Sequence, residues 1–230
     1  MKVGVVVFPG SNCDEDMIHA MEKLSGKKVS RLWHKEHDLQ GSDLIILPGG
    51  FSYGDYLRSG AIARFSPVME EVMAHSKKGG LVWGVCNGFQ ILCEAGMLPG
   101  TLLHNNTQRF ICKNVHLRAQ SKTATISSSI AADMVLKIPI AHGEGRYFDH
   151  SDAIKSLNDH DQVIFRYCDE QGNFSEAANP NGSIESIAGV CNSGKNVFGM
   201  MPHPERAADA LVGNEDGSII LEALLNLASA

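Results

Sequence analysis

The sequence contains no apolar run long enough to cross a membrane. A membrane-spanning helix needs about 20 apolar residues, whereas the longest candidate runs, 3–8 and 219–225, have the lengths of a strand and of a core helix segment. The first run also ends at Pro9-Gly10, which is too soon for the apolar region of a secretion signal. We therefore expect a cytoplasmic protein.

Positive charge and cysteine are also scarce. Lys and Arg total 20 against 26 Asp and Glu, for a net charge of −6, and no basic cluster indicates a surface for nucleic acid or an anionic membrane. Six cysteines without a C-x-x-C pair are too few for a disulfide scaffold, so we expect reduced thiols. No His/Cys pair has metal-ligand spacing, and no phosphate-binding glycine motif is present. The sequence therefore predicts neither a metal site nor a nucleotide site in this chain.

Short apolar runs alternate with helical patterns in the first hundred residues. Helices are predicted to begin at Ser11 or Asn12 and to end at Gly26, and to run from Ser66-Pro67 to Gly79-Gly80. Four apolar runs predict buried strands: 3–8, 29–33, 44–47 and 81–85. Buried strands separated by helices predict a mainly parallel, flavodoxin-like sheet flanked by helices in an α/β fold.

The pattern changes after Pro99. The run Asn-Pro-Asn-Gly at 179–182 predicts a turn, and the apolar spacing of 217–228 predicts a final helix. Six segments predict short strands without clear helices between them: 109–119, 122–128, 134–140, 162–168, 184–191 and 196–201. Because no linker or repeat divides the chain, we expect one α/β domain over 1–230, with antiparallel strands inserted in its second half.

The segment 79–96 carries the clearest chemical pattern. A buried strand runs directly into Gly84-Val85-Cys86-Asn87-Gly88, and a helical pattern follows at once. This is the G-x-nucleophile-x-G elbow with Cys in place of Ser, and a helix N-terminus favours the thiolate. We therefore predict Cys86 as a nucleophile and the N–H of Asn87 as one oxyanion donor. The alternative is a small buried cysteine at a tight turn, which is the role we expect for Cys93 in the helix core.

A nucleophilic thiol needs a proton carrier. His203 precedes Pro204 and Glu205, directly after a predicted strand, and positions i and i+2 can place an imidazole beside a carboxylate that orients it. Taken alone, the segment is also compatible with an ordinary surface loop. His142 is the competing candidate, because glycines flank it and suit a loop that approaches a ligand closely.

A glycine-rich loop, Pro48-Gly49-Gly50, follows the third predicted strand. Since sites in parallel sheets form at the carboxyl ends of strands, this loop should lie beside Cys86 and supply a second oxyanion N–H. The residues that follow it include four that we interpret as contacts for a substrate or a partner: Tyr53, Asp55, Tyr56 and Arg58.

The elbow, the PGG loop and the late PHPE segment together resemble the class I, or triad-type, glutamine amidotransferase family. The resemblance implies a flavodoxin-like fold and hydrolysis of the glutamine side-chain amide to glutamate and ammonia. It also implies catalytic roles for Cys86 as nucleophile, His203 as general base and acid, and Glu205 as its orienting partner. The other implied roles are oxyanion donors, Gly50 and Asn87, and glutamine-binding residues, Gln90, His142 and Gly143.

Finer segments are similar to one subgroup, the glutaminase subunits of phosphoribosylformylglycinamidine synthases in purine biosynthesis. The resemblance implies that ammonia passes to a large synthase subunit, which binds ATP, Mg²⁺ and formylglycinamide ribonucleotide, and that a small third subunit bridges the complex. It implies no cofactor in this chain. The segments are FPGSNCDED (8–16), GGFSYGDYLRSGAIA (49–63), CNGFQIL (86–92), AHGEGR (141–146), NPNGS (179–183) and GMMPHPER (199–206).

Two other classes of protein share parts of this pattern. A cysteine peptidase or a DJ-1-like protein also uses an elbow cysteine, but we expect its histidine directly after the cysteine and not after the last strand. A subunit that only scaffolds a complex would be favoured by an incomplete triad, and all three positions are filled here.

Overall fold

The computed structural model describes residues 1–131 and 133–226. The strands in this part of the chain are β1 (Val3–Val7), β2 (Ser30–Trp33), β3 (Leu44–Leu47), β4 (Leu81–Val85), β5 (Thr101–Leu103), β6 (Ile111–Ala119), β7 (Val135–His142), β8 (Arg146–Phe148), β9 (Val163–Cys168), β10 (Ile187–Cys191) and β11 (Val197–Met200). The α-helices are α1 (Asp14–Ser25), α2 (Pro67–Lys77), α3 (Asn87–Glu94), α4 (Thr125–Ser128), α5 (Ser151–Asp159) and α6 (Asp216–Asn226). No helix in these ranges is long and apolar enough to cross a membrane.

One mixed sheet of nine strands organises the molecule, in the order β2-β1-β3-β4-β11-β10-β9-β6-β7. The first five strands in this order pair in parallel. Leucines, isoleucines and valines fill these strands, and β3 is buried along its whole length because helices cover both faces. The predicted α/β sheet is therefore present, and its parallel core consists of four strands from the first half of the chain and β11 from near its end.

The other four strands form an antiparallel extension from β11 through β10, β9 and β6 to β7. β5 and β8 pair separately as a two-stranded ribbon. Because each antiparallel step reverses direction, the carboxyl end of β7 lies at the same edge of the sheet as those of β1, β3, β4 and β11. This edge is where the predicted functional segments meet.

Two predictions in the second half are wrong. Segment 122–128 is not a strand but leads into the short helix α4, because Ser121 Oγ accepts the Ala124 N–H (2.8 Å) and satisfies the backbone locally. A helix, α5, also lies between two strands where none was predicted. Its fully buried apolar side chains are only Ile154 and Leu157, which is too weak a pattern to indicate a helix from sequence.

Two predicted element starts also differ from the structure. The N-cap of α1 is Cys13, whereas Ser11 Oγ instead accepts the Phe8 N–H (3.0 Å) within the preceding turn. The predicted strand 184–191 begins only at residue 187, since residues 184–186 form a turn with positive φ at positions 185 and 186. The predicted helix 217–228 corresponds to α6, and its last two positions lie outside the described residues.

Candidate active site

Cys86 joins β4 directly to α3. Its backbone has φ 50° and ψ −105°, a strained combination for a residue with a side chain. The turn is possible because a Cβ at Gly88 would lie only 1.9 Å from the carbonyl oxygen of Leu47, so that α3 can pack against β3 only through a glycine. The Cys86 thiol, 5% exposed, lies against the Ala141 carbonyl oxygen of β7 at 3.7 Å. The local geometry is that of a nucleophile elbow.

His203 and Glu205 form a buried pair beyond the end of β11. The His203 backbone N–H donates to Pro139 O of β7 (2.8 Å), which fixes the segment across the sheet edge. The imidazole Nδ1 donates to Glu205 Oε1 at 2.6 Å, so the carboxylate selects the tautomer whose Nε2 can exchange a proton. Nε2 has no hydrogen-bond partner among the described residues.

The electrostatics of this pair favour the imidazolium form. Burial lowers the pKa of His203, but the negative charges of the Glu205 carboxylate and the Cys86 thiolate, together with the interaction with Cys13, outweigh it and hold that pKa well above its ordinary value. A charged His203 beside Cys86 is the partner that a thiolate nucleophile needs.

The PGG loop packs against the His203 imidazole. A Cβ at Gly49 would come within 2.6 Å of His203 Cε1, so the loop backbone is in direct contact with the ring. The N–H of Gly50 has no backbone acceptor among the described residues, and the N–H of Asn87 belongs to the first turn of α3, where helical N–H groups have no intrahelical acceptor. Both predicted oxyanion donors are thus free to serve a ligand.

The predicted glutamine-binding residues lie on α3, at the end of β7 and in the turn after β7. Gln90 accepts a hydrogen bond from Asn87 Nδ2 (3.0 Å) and donates to the Glu144 carbonyl oxygen (2.6 Å). It therefore connects α3 to the turn between β7 and β8. The backbone carbonyl of Gly143, in the same turn, accepts the N–H of Asn105 (2.8 Å).

His142, the competing candidate for the base, is buried at the end of β7. Its Nδ1 shares a hydrogen bond with Asn105 Oδ1 (3.0 Å) and not with a carboxylate. Burial, followed by the charge of His203, lowers the pKa of His142 to about 4. His142 therefore stays neutral near pH 7, which suits a structural or binding role better than acid catalysis.

The four residues after the PGG loop have different environments. Asp55 accepts from Asn87 Nδ2 (3.2 Å) and so lies at the site. Tyr53 instead hydrogen-bonds His34 and Ser66 within the fold, and Arg58 pairs with Glu94 (2.6 Å). Tyr56 is 73% exposed and its neighbour Leu57 is 90% exposed. Of the four, only Tyr56 offers an apolar surface to a partner.

The sequence patterns did not indicate two residues of this site, Cys13 and Arg206. Cys13 Sγ, a ring nitrogen of His203 and a carboxylate oxygen of Glu205 lie within 4.8 Å of one another. Atoms of these types can bind a metal ion. Here, however, Arg206 Nη2 donates to Cys13 Sγ (3.1 Å), and the His203 imidazole is hydrogen-bonded to Glu205 Oε1. The arrangement therefore does not favour a metal cation. The available signal was the position of Cys13 just after β1, at the same sheet edge as the PGG loop.

Comparisons with known proteins agree with this geometry. Residues 1–217 match the model of the CobB/CobQ-like glutamine amidotransferase domain. The chain is 54% identical over 222 residues to a phosphoribosylformylglycinamidine synthase subunit PurQ of Chlorobium luteolum, covering 96% of each chain. It is 50% identical over 225 residues to the PurQ subunit of Salinibacter ruber, covering 98% of this chain and 96% of that one.

Solved structures give the same result. The structure of PurLQS from Thermotoga maritima contains a chain that is 43% identical to this one, with a TM-score of 0.86 and coverage of 99% and 98% of the two chains. A glutamine amidotransferase from Thermotoga maritima, only 15% identical, shares the fold with a TM-score of 0.63 over 99% and 97% of the two chains.

Proposed function

The chain belongs to the CobB/CobQ-like glutamine amidotransferase family, and we propose that it is the glutaminase subunit of a phosphoribosylformylglycinamidine synthase. In this proposal residues 1–230 form a single amidotransferase domain that hydrolyses glutamine to glutamate and ammonia. The observation that carries the proposal is the buried His203–Glu205 pair placed beside the strained Cys86 elbow. The cytoplasmic location expected from the sequence is part of the same proposal.

The first half of the reaction forms a thioester. The Cys86 thiolate attacks the side-chain amide carbon of glutamine, and the N–H groups of Gly50 and Asn87 stabilise the oxyanion that develops. The His203 imidazolium then gives its Nε2 proton to the departing nitrogen as the C–N bond breaks. Ammonia leaves, and a γ-glutamyl thioester remains on Cys86.

The second half regenerates the enzyme. Neutral His203 takes a proton from water, and the resulting hydroxide adds to the thioester carbon. The C–S bond breaks, glutamate leaves, and the thiolate–imidazolium pair is restored. Glu205 keeps Nδ1 occupied throughout, so Nε2 handles both proton transfers. Gln90 would help to hold the substrate glutamine, and the His142-Gly143 loop would bind its amino-acid end.

The ammonia must reach an acceptor before it is lost to solvent. The relatives are named as synthase subunits, and the similar solved chain belongs to a complex titled PurLQS. We therefore assign ATP, Mg²⁺ and formylglycinamide ribonucleotide to a large PurL-type partner, with a small PurS-type subunit bridging the complex. The exposed pair Tyr56 and Leu57 lies on the loop whose Asp55 contacts Asn87, and this links a partner surface to the site.

Replacement of the nucleophile tests this function. Cys86→Ala in the reconstituted complex should abolish glutamine-dependent synthesis of phosphoribosylformylglycinamidine, because no thioester can form, while synthesis from added ammonium salt continues at the wild-type rate. Cys93→Ser, seven residues along α3, is the matched control and should retain both activities. The readout is product formation with each nitrogen source.

Other outcomes would support other functions. Loss of both activities in Cys86→Ala would make the residue structural, and full retention of the glutamine-dependent activity would favour a scaffolding subunit. Cleavage of peptides by the wild-type chain, without glutamine hydrolysis, would favour the peptidase alternative.

A further inference from the structure

Cys13 is a second buried cysteine at the catalytic end of the sheet. It is the N-cap of α1, at the end of the turn that follows β1, and its side chain is almost completely inaccessible. Its backbone N–H donates to the Gly49 carbonyl oxygen (3.3 Å), which ties it to the PGG loop. A Cβ at Gly49 would lie 3.2 Å from Cys13 Sγ and 2.6 Å from His203 Cε1, so the sulfur and the ring bound the same narrow space.

The sulfur of Cys13 lies between the imidazole and a cation. Arg206 Nη2 donates to Sγ at 3.1 Å, and Arg206 Nε donates to Asp16 Oδ2 of α1 at 3.2 Å. Cys13 Sγ is also within 4.8 Å of a ring nitrogen of His203 and of a Glu205 oxygen. Cys13 therefore holds Arg206 on the α1 side of the site.

Arg206 has another acceptor close at hand. Glu205 Oε2 is buried and has no hydrogen-bond partner among the described residues, although Oε1 is bound to His203. The charge of Glu205 already acts on Arg206. If the sulfur were removed, Nη2 would lose its acceptor and Asp16 would hold the guanidinium only through Nε. Nη2 would then be drawn to the Glu205 carboxylate, because an unpaired buried acceptor is costly. It would then compete with the imidazole for the same group.

We propose that Cys13 is a positioning residue for glutamine hydrolysis, whose sulfur keeps Arg206 away from Glu205 and packs against His203, so that the carboxylate serves the imidazole alone. The inference rests on the proposed function, since it assumes that His203 transfers protons. Cys13 is not a second nucleophile in this arrangement, because a guanidinium and not a substrate carbonyl occupies its sulfur.

Substitution of Cys13 in the reconstituted complex tests the role. Cys13→Ala should lower kcat for glutamine hydrolysis by about 10- to 100-fold, because small displacements of a catalytic group have effects of this size, while KM stays the same. The alkaline limb of the pH profile should move to lower pH, since the imidazolium loses its direct interaction with Cys13 and a carboxylate shared with Arg206 supports it less. Ammonia-dependent synthesis should not change.

Two further variants separate positioning from packing. Cys13→Ser keeps an acceptor for Arg206 and should restore most of the rate and the position of the alkaline limb; it also serves as the test if Cys13→Ala does not fold. Cys191→Ala removes an equally buried thiol from β10 and should keep the wild-type kcat and pH profile even if it melts earlier.

Results that contradict the positioning role can be distinguished from results that contradict the proposed function. Wild-type kcat and pH profile in Cys13→Ala, or equal losses without a pH shift in Cys13→Ala and Cys13→Ser, would overturn the positioning role and leave the proposed function intact. Absence of glutamine hydrolysis in the wild-type complex would overturn both.

Discussion

The turns β1–α1 and β4–α3 place buried cysteines, Cys13 and Cys86, at helix N-termini beside the same histidine, yet the two turns differ in length and strain. In the β4–α3 turn Cys86 alone joins strand to helix, with φ 50°. In the β1–α1 turn residues 8–13 make the connection, and Cys13 has an ordinary φ of −111°. One sulfur lies against a carbonyl oxygen, Ala141 O, and the other accepts a guanidinium N–H from Arg206.

The difference supports the proposal that Cys86, and not the neighbouring and similarly buried Cys13, is the nucleophile. Backbone strain at Cys86 is maintained by the packing of Gly88 against β3, and the thiol of this strained turn lies against Ala141 O of β7. The relaxed turn at Cys13 leaves its sulfur engaged by Arg206. Both cysteines are buried and lie at helix N-termini, so neither property alone identifies the nucleophile.

Removal of the Glu205 carboxylate, which is paired with the histidine beside both cysteines, should have a larger effect than crowding of the space between Cys13 and His203. Glu205→Gln should lower kcat for glutamine hydrolysis by about 10²- to 10⁴-fold, the range for a general acid–base contribution. Because Glu205 raises the pKa of His203, its loss lowers that pKa, and the imidazolium loses its proton at lower pH. The alkaline limb of the kcat/KM profile should therefore move to lower pH, which a pH-rate series would measure.

Glu215→Gln is the matched control, because Glu215 is an exposed acid in the same C-terminal segment. It should show the wild-type rate and pH profile. An unchanged alkaline limb in Glu205→Gln would mean that the carboxylate does not control the ionisation of His203.

Crowding the space shared by Cys13 and His203 should have a smaller effect. In Gly49→Ala the new Cβ meets His203 Cε1 at 2.6 Å and Cys13 Sγ at 3.2 Å, so the ring must shift. We expect kcat to fall by about 10- to 100-fold, as for a misplacement of about 1 Å. Overpacking should also cost about 1–3 kcal/mol of unfolding free energy, measured by denaturant titration.

Gly194→Ala provides the comparison at an exposed surface turn, where the new Cβ meets the side-chain ends of Asn196 and Asn192 and no catalytic group. It should leave kcat unchanged. A Gly49→Ala enzyme with full activity would show that the PGG loop does not fix the imidazole.

The sequence predicted the parallel half of the fold well, because strands buried on both faces leave continuous apolar runs such as 44–47 and 81–85. The antiparallel half was less predictable. Its longest strands, β6 and β7, are partly exposed, α5 carries few apolar residues, and Ser121 converts a strand-like pattern into the turn before α4. Local polar capping outweighed the hydrophobic pattern there.

The same distinction applies to the site. Cys86 and the His203–Glu205 pair lie in short local motifs, so the sequence can nominate them together as candidates. Cys13 and Arg206 are 193 positions apart in the chain and meet only through the sheet order. No spacing rule predicts that contact, because it depends on which strands become neighbours.

The most direct test of the account is to identify which cysteine carries the acyl group. The reconstituted complex would be treated with a chloroketone analogue of glutamine, with and without excess glutamine, and its peptides mapped by mass spectrometry. We expect one modification, at Cys86, with glutamine giving protection. Modification of Cys13 in place of Cys86, or of Cys93 or Cys112, would contradict the assignment of the strained elbow as the nucleophile.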